Sequence, residues 1–479
     1  MKIFLNKNNK YDYEVMELIR FFDHDATLCD QSQEADFNFD YEIEKDKITV
    51  KLIYNGQTFE GIEQFEEVDD ELIKKRKEKY ALKILVYKAM SSALNKTLLW
   101  GALSGIRPTK LARTFCNKVG FEKAKEDFKR DYLVSDEKTD LVFDTLKNQQ
   151  EIIESAKPND YNLYVAIPFC PSRCGYCSFG AYEIGKVNEI EQYIQVLKKE
   201  IEYNISILQP NYNIRSVYIG GGTPTALKAN ELEQIIIKIR EALNGFDGEF
   251  TVEAGRPETL TLEMLRMLKN NDIKRISINP QTFNDKTLYM IGRNHTSRDT
   301  INAVELAKQV GFGNINMDII LALPDEKLAD VKNTFAILKD LQPQSITVHT
   351  LAIKRTAKFK KAKESLNFAN VEEIQDMINF SIASTKELGL VPYYLYRQKY
   401  MQANLENIGF CKPGEQCIYN IDTMEECVNI VACGAGAITK KLFGKGKIER
   451  LANAIDLKTY FLNQQKQRQK MEMLYQGGL

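Results

Sequence analysis

From about residue 161 the chain alternates short apolar runs with longer amphipathic stretches, and this rhythm limits the fold more than any other feature. The runs lie at 163–167, 216–219, 250–254, 273–278, 315–323 and 345–350, with helical patterns such as 189–208 and 230–243 between them. Strand–helix alternation implies a parallel sheet with crossover helices. Repeated six times, it predicts an α/β architecture, a full or partial parallel (β/α)6 TIM-like barrel, whose chemistry sits at the C-terminal ends of the strands. The rhythm divides the chain into an N-terminal α+β domain (1–156), the barrel (157–356) and a mainly helical C-terminal, substrate-side region (357–479).

In the first region, residues 47–54 alternate apolar and polar positions, Asn55-Gly56 follows, and then comes 57–64. Asn-Gly between alternating runs predicts a hairpin. Charged helical patterns are expected from about 70 to 95 and from about 122 to 156, joined by a glycine- and proline-bearing connector at 99–110. After residue 357 a helix is expected near 371–388, then Tyr393-Tyr394-Leu395-Tyr396-Arg397-Gln398-Lys399, then a polar terminal helix.

The 65 basic and 66 acidic residues nearly cancel, so no global field for nucleic acid or an anionic membrane is expected. The N-terminal MKIFLNKNNKYDYEV lacks the apolar run of a signal peptide, and no stretch approaches the length of a membrane span. A cytoplasmic location is expected, where the nine cysteines would be mostly reduced and a cluster of them points to metal before disulfide.

Such a cluster follows the first strand of the alternating region: Cys170-Pro171-Ser172-Arg173-Cys174-Gly175-Tyr176-Cys177. Three thiolates are soft donors suited to an iron–sulfur cluster, and within eight residues they can wrap one from a single loop. Three protein ligands on a four-iron cubane leave one iron open, which is a catalytic arrangement. Zinc is the competing reading, but zinc motifs pair two knuckles or a knuckle with histidines, and His24, His295 and His349 are scattered. Cys411, Cys417, Cys427 and Cys433 contain no CxxC knuckle and read as small core residues, with an auxiliary cluster as the alternative.

CxxxCxxC after Leu163-Tyr164-Val165-Ala166-Ile167-Pro168-Phe169 resembles the radical S-adenosylmethionine superfamily, and more narrowly its oxygen-independent coproporphyrinogen III dehydrogenase (oxidase) group. Gly220-Gly221-Gly222-Thr223-Pro224-Thr225, then 275–283, Ile291-Gly292-Arg293-Asn294-His295-Thr296 and 318–324 match that group in order. Arg107-Pro108-Thr109-Lys110, 393–420 and Gly434-Ala435-Gly436-Ala437-Ile438 resemble its HemZ-type members. The resemblance implies a [4Fe-4S] cluster on Cys170, Cys174 and Cys177, with S-adenosyl-L-methionine on its open iron as the source of a 5′-deoxyadenosyl radical. It further implies Tyr164, Gly221, Gly222 and Thr223 as cofactor contacts. Glu253 would meet the amino-acid part of the cofactor, and Gln281, Arg293 and Asp318 would bind it or a second S-adenosylmethionine. Tyr176 either stacks on the adenine or packs within the loop.

The implied reaction is oxidative decarboxylation of coproporphyrinogen III to protoporphyrinogen IX in haem biosynthesis, with a tetrapyrrole substrate and an electron donor such as flavodoxin or ferredoxin. Arg397, Lys399 and Lys412 are candidates for binding the substrate carboxylates, or else surface charges. The sequence departs from the best-known members at Ala166, where they have histidine, and at Phe179, where they have a fourth cysteine. Phe179 instead resembles the related haem chaperones. A haem-binding chaperone, or a radical enzyme acting on another tetrapyrrole, is therefore the alternative.

Overall fold

A computed structural model of the chain describes residues 1–6, 10–353, 359, 366–398, 401, 404–444 and 446–476. It divides into two compact units, Met1–Phe143 and Asp144–Leu479.

In the first unit a five-stranded sheet runs in the order Thr27–Leu28, Lys2–Leu5, Phe37–Ile43, Lys47–Tyr54, Gln57–Gln64. The expected hairpin is present: Tyr54 pairs with Gln57, and Asn55 and Gly56 take φ of 49° and 76°, the left-handed geometry of a two-residue turn. Ile48, Val50 and Leu52 are buried against Leu82, Leu85 and Val86 of the helix Glu71–Leu94 within one core. Asp70 caps that helix, its carboxylate accepting from the Leu72 and Ile73 amides at 2.8 and 3.0 Å. The pattern at 122–156 is two helices rather than one, Phe121–Tyr132 and Asp136–Glu154. The break is imposed by the connector. Ala102 donates to the Tyr132 carbonyl at 2.9 Å, and Ser135 donates to that of Leu99 at 2.9 Å. Leu133 is left at φ 55°.

The second unit is built on an eleven-stranded sheet. We number its strands β1 (Asp160–Ile167), β2 (Asn213–Gly221), β3 (Glu249–Glu253), β4 (Arg275–Ser277), β5 (Asn314–Leu321), β6 (Ser345–Thr350), β7 (Val391–Arg397), β8 (Glu406–Cys411), β9 (Asn429–Cys433), β10 (Ile438–Leu442) and β11 (Ile448–Ala452). The spatial order is β7-β8-β6-β5-β4-β3-β2-β1-β9-β10-β11. β1 to β6 are parallel neighbours in sequence order, joined by helices that include Ile190–Leu208, Ala229–Leu243, Leu262–Asn270, Ser297–Val310 and Leu328–Leu341. This is the partial TIM-like barrel expected from the alternation. Its strands are covered on both faces, which is why β1 is buried almost throughout. The crossover helix Ala229–Leu243 buries Leu232, Ile235, Ile236, Ile239 and Leu243, one stripe at helical spacing.

Beyond residue 357 the helices Val371–Glu387, Ile418–Glu425, Leu457–Leu462 and Gln464–Tyr475 are joined by five strands that continue the same sheet. β8 runs antiparallel to β6, and β9 adds a further parallel strand beside β1. Gly434 makes the passage over β1 possible: at φ 101°, a Cβ there would lie 2.6 Å from the Ala166 carbonyl. Its amide reaches the buried Glu200 carboxylate at 2.8 Å, which also accepts from Asn453 and Tyr460 at 2.7 and 2.6 Å. No helix among the described residues is long and apolar enough to cross a membrane.

Candidate functional site

The C-terminal ends of the parallel strands surround a cavity of about 530 Å³. All twelve residues singled out for the cluster and cofactor line it: Cys170, Cys174 and Cys177 from the loop after β1, and Tyr164, Tyr176, Gly221, Gly222, Thr223, Glu253, Gln281, Arg293 and Asp318 around them.

The cysteine loop is fixed by backbone contacts. Gly222 donates to the Ile167 carbonyl at 2.8 Å and Thr223 to that of Phe169 at 2.7 Å. A Cβ on Gly222 would lie 2.6 Å from the Phe169 carbonyl and 3.0 Å from Cys170 Sγ, so the glycine lets β2 and the loop meet. Gly221 is at φ 108°, a region that favours glycine. Two donors face the sulfurs: Thr223 Oγ1 lies 3.5 Å from Cys170 Sγ, and Arg256 Nη2 lies 3.3 Å from Cys174 Sγ. Burial pushes the Cys170 and Cys177 thiols up in the metal-free chain.

Further round the rim, Glu253 at the end of β3 accepts from Tyr218 Oη at 2.6 Å and from the Gly221 amide at 3.3 Å. Burial, reinforced by the charge of Asp318, pushes its carboxyl up to about 7. Asp318, on β5, is half-buried; against the opposing effect of burial, His349 and Asn316 hold its carboxyl below the usual value. Asn316 Nδ2 donates to it at 2.8 Å, and His349 Nε2 lies 3.8 Å away. Arg293 donates to the Gly255 carbonyl at 2.8 Å and to Tyr176 Oη at 3.2 Å. Gln281, at φ 68°, pairs with β5, its backbone amide donating to the Asp318 carbonyl and its carbonyl accepting from the Ile320 amide.

Several lining residues were not singled out beforehand: Tyr218, Arg256, Ser277, Asn316, His349 and Tyr419. For Tyr218, Ser277, Asn316 and His349 the signal was the period of two that points alternate residues of a strand to one face. Tyr218 precedes the glycine triplet by two and His349 follows Thr347 by two, but an isolated sequence does not tell inward from outward. Tyr419, on the helix Ile418–Glu425, stacks on Tyr218 with centroids 4.4 Å apart.

The carboxylate-binding candidates are corrected. On β7, Tyr394, Tyr396 and Gln398 face the cavity, so Arg397 points the other way; it is 4% exposed and donates to the Asn404 carbonyl at 3.2 Å. Lys412 follows β8, which returns antiparallel to the start of β6, and its amide donates to Gln344 at 2.9 Å at the opposite end of the sheet. Lys399 lies outside the described residues. Phe179 stands at the cavity edge with 65% of its surface exposed. The later cysteines are dispersed: Cys411 and Cys417 pack with Tyr393, Tyr394 and Ile421, while Cys433 lies on β9 and accepts from Asn204.

The cavity suits a cluster better than a single ion. Among the described residues no three His, Cys, Asp or Glu converge on a point where one metal ion would sit. A four-iron cluster instead takes its ligands at separate corners, from three thiols on one loop. Three residues that line the cavity also carry a buried polar atom without a protein partner: Ser277 Oγ, Gln281 Oε1 and Arg293 Nε.

Comparison with known proteins agrees. The radical SAM superfamily profile matches residues 164–338. The Bacillus subtilis (strain 168) oxygen-independent coproporphyrinogen-III oxidase-like protein HemZ is 39% identical over 372 residues, 76% of this chain and 74% of that protein. The heme chaperone HemW of Buchnera aphidicola subsp. Acyrthosiphon pisum is 31% identical over 58% of this chain and 71% of its own. Among solved structures, the coproporphyrinogen III oxidase HemN from Escherichia coli shares the fold, with a TM-score of 0.54 over 66% of this chain and 72% of that one at 21% identity. Proteins of this superfamily use a [4Fe-4S] cluster and S-adenosylmethionine. The chain belongs to the radical SAM family of HemZ-type, oxygen-independent coproporphyrinogen-III oxidase-like proteins.

Proposed function

We propose that this protein catalyses the oxygen-independent oxidative decarboxylation of coproporphyrinogen III to protoporphyrinogen IX. The observation that carries the reading is the extent of the likeness to HemZ, which covers three quarters of both chains, whereas the HemW likeness covers 58% of this one. In this reading the barrel, residues 157–356, holds the cofactors, and residues 357–479 form the substrate side.

When bound, the cluster and S-adenosylmethionine supply a carbon radical that removes a hydrogen atom from the β-carbon of a propionate. The roles proposed for the chain's own residues rest on the resemblance, and their places round one cavity support them. Cys170, Cys174 and Cys177 hold the cluster. The Gly221–Thr223 backbone and Tyr164 border the space beside it. Glu253, kept in place by Tyr218, would accept a hydrogen bond from the amino-acid part of the cofactor. Gln281, Arg293 and Asp318 bind the rest of the cofactor or a second molecule of it. The tyrosines on β7 and Tyr419 offer flat faces to a ring of the substrate. An electron donor such as flavodoxin or ferredoxin would supply the electron that the bound cluster needs.

The test is anaerobic incubation of the reconstituted protein with S-adenosylmethionine, a low-potential reductant, an electron acceptor and coproporphyrinogen III. A tricarboxylic intermediate and then a divinyl product are expected. The exposed Phe179, which stands where the best-known decarboxylases have cysteine, favours a second reading as a haem chaperone. Tight haem binding with S-adenosylmethionine cleavage but no vinyl product would establish that reading instead.

A further inference from the structure

Arg256 follows β3 and is 3% exposed. An arginine cannot shed its charge, so its burial requires partners. Its Nη2 donates to the Ser172 carbonyl at 2.7 Å, to Ser172 Oγ at 3.1 Å and to Cys174 Sγ at 3.3 Å. Its Nη1 lies 3.3 Å from Glu258 Oε1. The other oxygen of Glu258 is 3.0 Å from His295 Nδ1. A buried guanidinium thus stands on a cluster cysteine, with one carboxylate behind it and a histidine behind that. The arrangement is more than a brace for the loop, because a brace needs only the Ser172 contacts.

We propose that Arg256 is a positioning residue that sets the reduction potential of the cluster, donating to the Cys174 sulfur with Glu258 as its counter-charge. Adding one electron makes the cluster more negative. A fixed positive group and a hydrogen bond to a ligand sulfur stabilise that reduced state, and hydrogen bonds to sulfur and net charge are two of the levers that set such potentials. Glu258 acts with the opposite sign and mutes the effect. Cluster reduction starts the chemistry, so the pair governs how strong a donor the protein requires.

The test is a redox titration of the full-length, anaerobically reconstituted protein, followed by the EPR signal of the reduced cluster without substrate. Arg256→Gln removes the charge and is expected to move the midpoint to a more negative potential. A tenfold change in the ratio of reduced to oxidised cluster corresponds to about 59 mV for one electron. Arg256→Lys, which keeps the charge, is expected to restore part of the shift. Glu258→Gln keeps Arg256 and the cysteines and removes the opposing charge, so its midpoint is expected to move the other way. Only loaded protein contributes to the signal, so partial cluster loss does not disturb the reading. Should Arg256→Gln not load at all, the sign of the Glu258→Gln shift decides. Midpoints that stay at the wild-type value, or that move in the same direction for both substitutions, would overturn the proposal and leave Arg256 as a loop brace.

Discussion

Gly222→Ala adds one methyl group at the tightest point of the site. Its carbon would lie 2.6 Å from the Phe169 carbonyl, 3.0 Å from the Ile167 carbonyl and 3.0 Å from Cys170 Sγ. Two of these are backbone atoms, so relief requires β2 and the cysteine loop to separate. The separation strains the Gly222-to-Ile167 and Thr223-to-Phe169 hydrogen bonds, now 2.8 and 2.7 Å. Overpacking of this kind costs about 1–3 kcal/mol, and each weakened bond adds up to about 1 kcal/mol. A loss of about 2–4 kcal/mol is therefore expected, together with lower iron loading, because Cys170 moves with the loop. Gly185→Ala is the control: nothing lies within 4 Å of its added carbon, and stability is expected to hold or to rise by about 0.5 kcal/mol. Urea unfolding of the cluster-free protein and iron content after anaerobic reconstitution read the two effects. A Gly222→Ala protein with wild-type unfolding midpoint and full iron would refute the reasoning and make the triplet an ordinary turn.

Arg397→Ala is expected to lower stability by about 2 kcal/mol, through loss of a buried charged donor, and to leave substrate KM unchanged; a raised KM at unchanged stability would return Arg397 to the cavity. Cys411→Ala and Cys417→Ala are expected to keep full iron content, and a fall by about half would place a second cluster there. The Glu253 carboxyl, pushed up from 4.5 to about 7 by burial and Asp318, keeps a proton in the folded state that the unfolded chain releases. Its contribution to stability is therefore lost as pH rises through that window, by about 3 kcal/mol. Glu253→Gln should make the cluster-free protein more stable than wild type at pH 8 and alike at pH 4.5, measured by urea unfolding; equal stability at both would contradict this.

The six barrel strands were legible because parallel strands covered on both faces read as apolar runs, and the hairpin was legible because Asn55-Gly56 fixes its own turn. The Cys170–Cys177 loop was legible because its spacing is local. What escaped depends on contacts between distant segments. The break at Leu133 is set by the Trp100–Ala102 turn pressed against it; its local sign is Ser135, whose Oγ accepts from the Lys138 amide at 3.3 Å as the second helix begins. The five C-terminal strands are short and pair with β6, β1 or one another. Without their register, Arg397 and Lys412 looked equally able to reach the cavity, although one faces away and the other lies at the far end of the sheet. Arg256 has no local motif; its meaning comes from Cys174, which the loop after β1 brings to it from 82 residues away.

The most direct measurement is the EPR spectrum of the reduced, reconstituted protein before and after addition of S-adenosylmethionine, in wild type and in variants with Cys170, Cys174 or Cys177 replaced by alanine. Wild type is expected to give a four-iron signal that changes when the cofactor occupies the open iron, and each replacement is expected to abolish it. A signal indifferent to S-adenosylmethionine, or full iron loading with all three cysteines replaced, would contradict the assignment of this loop as the catalytic centre.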